Sequence, residues 1–488
     1  MATRAFVALL LSIGFYTLAL GIVAFLLWVV YAEFVIVQHI NLYLTLACLA
    51  GVWIILGALL PRRDRFVPPG PKLTQAEHPK LFAEIEAVAG ATGQDVPAEV
   101  YLTHDINAWV TERGGFMGLG RRRVMGLGLP LMHLLSVSQF RAVLAHEFGH
   151  YHGGDTALGP WIYRTREAMS RAIQALAQRE SVLQTPFLWY GNFFMRVTQA
   201  ISRAQEFSAD RLAAQTTGAT PLREGLRMVH QAGPAFDAYW RNEVVPALNA
   251  GYRPPLSEGF QHFLGTTFVQ QHMQKSLEAA LREGKSDPYD THPALRERIA
   301  ALEGLPGGGI PEQDPVASSL LGYTGDLELG IITALSDSKT ALALRPVAWT
   351  EVGEVVYKPI WLERVAPHRV NLANFSVSQL PQMCGQLDQL GESWLKEIGG
   401  QGSSSGYAQW VLGNALCAAL SLQGWHIEAL PGEDVVLHKG DDQLRPFRIV
   451  EALKLGSISA EDWQARCEAL GLDGLWLAQV QAELWNKE

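Results

Sequence analysis

The chain has 488 residues, with 39 basic against 48 acidic side chains and a formal charge of −9. Charged residues make up only 18%, which excludes a chain disordered throughout, and the mild acidity without long charge runs argues against nucleic acid as the main partner. Cys48, Cys384, Cys417 and Cys467 lie far apart with no CxxC, so they form neither a disulfide framework nor a cysteine-based zinc site, and they fit a reducing compartment.

Ala5 to Ala32 and Ile40 to Pro61 are free of charged residues. A helix needs about 20 apolar residues to cross the hydrocarbon core, and both runs suffice. The expected spans are about 6–31 and 40–60, an antiparallel hairpin joined by Glu33 to His39. Arg4 precedes the first span and Arg62, Arg63 and Arg65 follow the second, whereas the connection holds no Lys or Arg. Positive charge stays on the cytoplasmic side. The chain therefore reads as a multi-pass protein of the cell (inner) membrane, in contact with the lipid bilayer, with everything after residue 65 starting in the cytoplasm. Val67-Pro68-Pro69-Gly70-Pro71 is a stiff exit linker.

Ser136-Val137-Ser138-Gln139 reads as a capping box opening a helix with Phe140, Val143 and Leu144 on its apolar face. That helix carries Ala145-His146-Glu147-Phe148-Gly149-His150, an HExxH run. Residues four apart share a helix face, so His146 and His150 can present two imidazoles to one zinc ion, with Glu147 beside them as a general base. His104, His133 and His152 are weaker candidates, read as surface or core histidines.

Residues 154–202 contain the apolar stretch Ser181 to Met195, together with Arg164, Arg166, Glu167, Arg171, Arg179 and Glu180. These charges predict an amphipathic insertion packed on membrane or core rather than further spans. A helical segment follows, ending at Gly218 as a C-cap. Within it Glu206 and Asp210 are four apart. Glu206 is expected as the third zinc ligand, completing one Zn2+ site per chain, and Asp210 as hydrogen-bond acceptor for the His146 imidazole.

These residues give the chain a resemblance to the CAAX prenyl protease / HtpX heat-shock protease family of membrane zinc metallopeptidases. The motifs come in the family's order: the apolar hairpin, Ile106-Asn107-Ala108-Trp109, HEFGH, the Glu206/Asp210 pair, and Thr291-His292-Pro293 with Arg298-Ile299. The resemblance covers roughly residues 1–305. It implies a mainly α, gluzincin-like zinc metallopeptidase domain with a small edge sheet. It also implies that Asn107, Ala108 and Trp109 bind substrate backbone as an added strand, and that His292 and Arg298 help to stabilise the oxyanion. The expected activity is hydrolysis of peptide bonds in protein or peptide substrates, with membrane-protein quality control among the roles it suggests. The alternative is a catalytically silent membrane scaffold or binding protein that works through its C-terminal region. The extra spans of the CAAX prenyl proteases are missing, which argues against prenylated substrates.

The expected organisation is a hairpin over 1–66, a metallopeptidase domain over 67–305, a Gly/Pro linker over 306–315 and an accessory α+β region over 316–488. In the last, Ala341 to Val356 and Asp434 to Val450 contain strand-like runs with a turn at Lys439–Asp442, and Tyr407 to Gln423 and Ser459 to Leu470 read as helices. Gly399 to Gly406 is a flexible break that divides the region in two, and Trp410, Trp425, Trp463 and Trp476 are expected in the core.

Overall fold

In the computed structural model, which describes residues 2–60, 66–113, 122–151, 159–284, 292–322, 325–336 and 338–477, the chain forms two units. The first combines Met1–Gln231 with Lys275–Leu335, and the second combines Ala232–Gln274 with Ser336–Glu488. Arg62, Arg63, Arg65, His152 and Thr291, all used in the sequence reading, lie outside the described residues.

The first unit opens with α1 (Ala2–Tyr31) and α2 (Leu42–Leu59), two helices long and apolar enough to cross a membrane. The connection is shorter than expected. α1 continues through π-helical turns over Ala32–Val37, and the chain reverses at Gln38, whose φ is 50°. Glu33 is buried there, accepting from Thr45 Oγ1 at 2.7 Å and from the Asn41 amide at 3.3 Å. Its carboxylate thus faces the start of α2, where amide groups lack helical partners.

A small sheet follows, flanked by helices: β1 (Lys72–Leu73), α3 (Pro79–Thr92), β2 (Glu99–Thr103), β3 (Ala108–Arg113) and β4 (Arg122–Gly128). Strand order is β1-β2-β4-β3. β2 and β4 are parallel, the outer pairs are antiparallel, and β3 lies at an edge. After α4 (Leu129–Leu134) comes α5 (Val137–Gly149), which bears the HExxH run. The expected capping box is present, with Gln139 N donating to Ser136 Oγ and Ser136 N to Gln139 Oε1. Phe140, Leu144, Ala145 and Phe148 of α5 are buried with Leu81 and Ile85 of α3, Val100 and Leu102 of β2, and Met125 and Leu127 of β4.

The insertion forms α6 (Gly159–Ala177), and α7 (Gln184–Thr217) then runs unbroken from it into the Glu206/Asp210 segment. Ala168, Met169, Ala172 and Leu176 of α6 and Phe187 and Phe194 of α7 share a core with Phe15, Ala19, Val23, Ile55 and Ala58 of the apolar hairpin. Arg171 donates from Nε and Nη2 to the Ala58 carbonyl at 3.2 and 3.0 Å, near the end of α2. Arg164, Glu167, Ser170 and Gln174 face outward. Of the charges that marked this insertion as amphipathic, Arg164 and Glu167 thus face outward and Arg171 satisfies a helix-end carbonyl, whereas Arg166 is half-buried and donates to Thr198 Oγ1 at 2.8 Å. Gly218 caps α7 as expected, with φ of 98°.

Residues 306–315, expected as a linker, are bonded into the first unit. Ala219 N and Thr220 N donate to the Pro306 and Gly307 carbonyls at 2.8 and 2.7 Å, and Val137 N donates to Pro315 O at 2.9 Å. Asp314 accepts from Ser138 N at 2.9 Å and from Ser138 Oγ. This strap therefore touches the C-terminal end of α7 and the N-terminal end of α5.

The second unit is more helical than the sequence suggested. Ala341 to Val356, read as strand, gives only the two-residue strand Arg345–Pro346 before turning helical at Trp349. Side-chain packing overrides strand propensity here: the Trp349 indole lies against Gly259, and its Nε1 donates to Pro255 O at 2.8 Å. Val436–Lys439 and Asp442–Leu444 form the expected hairpin, but Pro446–Lys454 is helix. The Gly-rich break at 399–406 does not divide a core. Leu387–Ile398 and Ser404–Leu422 pack together so tightly that a Cβ on Gly391 would strike the Ser404 carbonyl. Trp425 and Trp463 are buried as expected, whereas Trp410 and Trp476 are 37% and 42% exposed. Residues 232–274, assigned from sequence to the peptidase domain, fall in this unit. Their Tyr252–Arg253 pairs with Arg345–Pro346, and Tyr357 Oη donates to Glu243 Oε2 at 2.7 Å.

Candidate metal centre

α5 and α7 cross at Gly149 and Ala209 with almost no side chain between them. That close approach brings the HExxH face of α5 against the acidic face of α7. Ligand-type atoms of His146, Glu147 and His150 all lie within 4.8 Å of one another. Across the crossing, His146 Nε2 is 3.5 Å from Glu206 Oε2, and His150 Nε2 is 3.6 Å from Glu206 Oε1. His146 Nδ1 points the other way and stands 2.9 Å from Asp210 Oδ1.

Arg298, on the short helix Leu295–Ala301, grips Asp210 with a two-pronged fork. Nε donates to Oδ2 at 2.8 Å and Nη2 to Oδ1 at 2.6 Å. Its Nη1 is 3.6 Å from Glu206 Oε2. The guanidinium thus lies against Asp210 behind the His146 imidazole and also near Glu206. His292 sits at the rim, its side chain 62% exposed and its Nδ1 3.2 Å from Glu206 Oε2. Asn107 is exposed just before β3, Ala108 is buried on the core side of that strand, and the Trp109 ring lies over Gly126 of β4.

The electrostatics follow from burial and pairing. Burial pushes the Glu147 carboxyl up to about 7, helped by the Glu206 charge and opposed by His146. Burial works against a charged His146, but the Asp210 and Glu206 carboxylates outweigh it and hold that imidazole up at about 9. Burial and the neighbouring His146 charge press His150 down to about 4. Burial opposes ionisation of Glu206 and Asp210 as well. Contacts with His146 and His292 keep Glu206 below the usual carboxylate range, and Arg298 and His146 do so for Asp210.

The donor set fits a divalent metal. Ligands about 2.0–2.1 Å from a tetrahedral zinc stand roughly 3.3–3.4 Å apart, close to the 3.5 and 3.6 Å that separate the imidazole nitrogens from the Glu206 oxygens. Glu206 Oε2 is buried without a well-directed hydrogen bond, so it keeps lone pairs that a metal could take. Two contributors escaped sequence reasoning. Gly149 lies inside HExxH, and nothing in its local sequence marks its contact with Ala209. Tyr151, beside His150, donates from its hydroxyl to the Val110 carbonyl of β3 at 2.6 Å, and nothing in its local sequence marks that contact.

Residues 75–305 match the family model described as Peptidase family M48. A protease HtpX homolog of Paenarthrobacter aurescens is 23% identical over 252 residues, covering 48% of this chain and 75% of that protein. Protease HtpX homologs of Ralstonia pickettii and Ralstonia nicotianae are each 25% identical over 251 residues, covering 47% of this chain and 75% of theirs. No solved structure matches the chain. The family likeness drawn from the ordered motifs therefore holds.

Proposed function

We propose that this chain, an M48-type peptidase over residues 75–305, is a membrane-anchored zinc endopeptidase that cuts protein or peptide substrates at a cytoplasmic site. His146, His150 and Glu206 would hold one zinc ion, which would supply Lewis acidity and make a nearby water more acidic. Glu147, whose carboxyl burial lifts to about 7, takes a proton from the attacking water and passes it to the leaving amine. Asp210 fixes the tautomer and direction of His146, and Arg298 holds Asp210 in turn, so both act by positioning. His292, at the rim, reaches the developing oxyanion. Substrate backbone pairs in extended form with the outer edge of β3, at Asn107 to Trp109. α1 and α2 anchor the chain in the bilayer. Arg4, against a connection lacking Lys and Arg, keeps the peptidase in the cytoplasm.

The observation that carries this reading is the convergence of two imidazole Nε2 atoms on the two Glu206 oxygens at 3.5 and 3.6 Å. The test is Glu147→Gln in the detergent-purified full chain. Elemental analysis should give about one zinc per chain for both proteins. Cleavage of unfolded casein, sensitive to chelation in the wild type, should fall by about 10²–10⁴-fold in the variant. Casein cleavage at the wild-type rate by Glu147→Gln would overturn the mechanism.

A further inference from the structure

In an antiparallel pair, residues alternate between turning their peptide groups toward the partner strand and away from it. Gly128 N donates to Asn107 O at 2.8 Å, and the β3–β4 register sets Ala108 opposite Leu127 and Val110 opposite Met125. Asn107, Trp109 and Thr111 therefore spend their peptide groups on β4. Ala108, Val110 and Glu112 turn theirs to the outer edge, where a substrate strand would add.

The middle acceptor of that edge is engaged. Tyr151 donates its hydroxyl proton to Val110 O at 2.6 Å. The phenol is held in place from two sides. Its own amide donates to Phe148 O at 3.0 Å, and the Arg123 guanidinium from β4 covers the ring at 4.9 Å from its centroid. Arg123 also lies 4.0 Å from Glu112, further along β3. A substrate amide that displaced the phenol would gain one bond, lose another and leave a half-buried hydroxyl to find a new partner.

Resting on the proteolytic reading above, we infer that Tyr151 determines substrate specificity by ending the substrate strand. An extended peptide pairs with Ala108 and with the Val110 amide, and the Tyr151 hydroxyl blocks the next rung. The enzyme then selects short extended segments, such as tails and loops of unfolded chains, over long β-prone stretches. Because Tyr151 follows His150 directly, the stop is fixed relative to the reacting centre.

The experiment measures binding apart from turnover. Fluorescein-labelled peptides of one sequence, from about four to about ten residues long, are titrated by anisotropy against zinc-loaded Glu147→Gln and Glu147→Gln/Tyr151→Phe proteins. With Tyr151 present, affinity should stop rising beyond the shorter peptides. With Phe, the longest should gain about 2–10-fold, the worth of one hydrogen bond, while the shortest do not change. N-methylation of the added amide should erase that gain. An unchanged length profile, an equal loss at every length, or no binding to either protein would overturn the inference. Casein cleavage by wild type and by Tyr151→Phe keeps the two readings apart. Absent wild-type cleavage defeats the proteolytic reading, whereas normal cleavage with an unchanged length profile defeats only the role of Tyr151.

Discussion

A Cβ placed on Gly149 would stand 2.8 Å from the Cα of Ala209. The helix carrying both histidines and the helix carrying Glu206 thus meet backbone to backbone, and this contact sets the distance across the candidate metal centre. Gly149→Ala should force the helices apart at a cost of about 1–3 kcal/mol. Zinc affinity should fall with it, because Glu206 moves away from both imidazoles. Thermal denaturation and competition with a chromogenic chelator check the two effects, and a variant with native stability and native zinc affinity would contradict the packing argument.

The fork between Arg298 and Asp210 is buried, with side-chain exposures of 12% and 1%. Arg298→Ala would strip the buried Asp210 carboxylate of its fork and leave it only His146 Nδ1, a loss worth up to about 3–5 kcal/mol. It should also weaken zinc binding by about 10–100-fold, since Asp210 orients His146. Arg298→Lys should rescue little, because an ammonium cannot reproduce the fork. Chemical denaturation and metal competition give these values. If Arg298→Ala kept both and lost only kcat, Arg298 would act on the oxyanion instead.

Asp314 ties the strap to the start of α5. Burial disfavours its charge, but hydrogen bonds from Ser136 and Ser138 outweigh that and hold its carboxyl below the ordinary range. A carboxyl with a depressed folded pKa contributes stability above its unfolded value of about 3.9, and loses it as pH falls through the folded value. Asp314→Asn should therefore lower Tm at neutral pH, and the gap to the wild type should close as the pH drops below about 4. A gap that stays constant across a pH series of melts would remove the charge from the explanation.

The hairpin orientation can be read by labelling. Gln38, at the reversal between α1 and α2, is exposed, and so is Asp95 in the peptidase domain. Gln38→Cys should react with a membrane-impermeant maleimide in intact cells, and Asp95→Cys only after lysis. The four native cysteines are all buried and should give little background. Labelling of Asp95→Cys from outside would invert the topology.

How far the sequence reached depends on how far apart the interacting residues lie. The capping box at Ser136 and Gln139, the shared face of His146 and His150, and the Gly218 cap join residues within about one helical turn, and each was legible. The pairing of Glu206 with the HExxH face came from chemistry, because two imidazoles need a third ligand, and not from any local pattern. The strand readings of Ala341 to Val356 failed where Trp349 packs on Gly259, a contact invisible to local propensity.

From its amino acids alone, the chain determined two membrane-length helices, one helix presenting His146, Glu147 and His150, and the chemical need for a carboxylate partner. Tertiary structure alone decided that Arg298 grips an aspartate 88 residues away, that Tyr151 bonds a strand 41 residues before it, and that Asp314 reaches back 176 residues to Ser138. Periodicity and spacing record what one helix or strand does with its own neighbours. Contacts between distant segments exist only once the chain has folded, and there geometry, not sequence order, selects the partners.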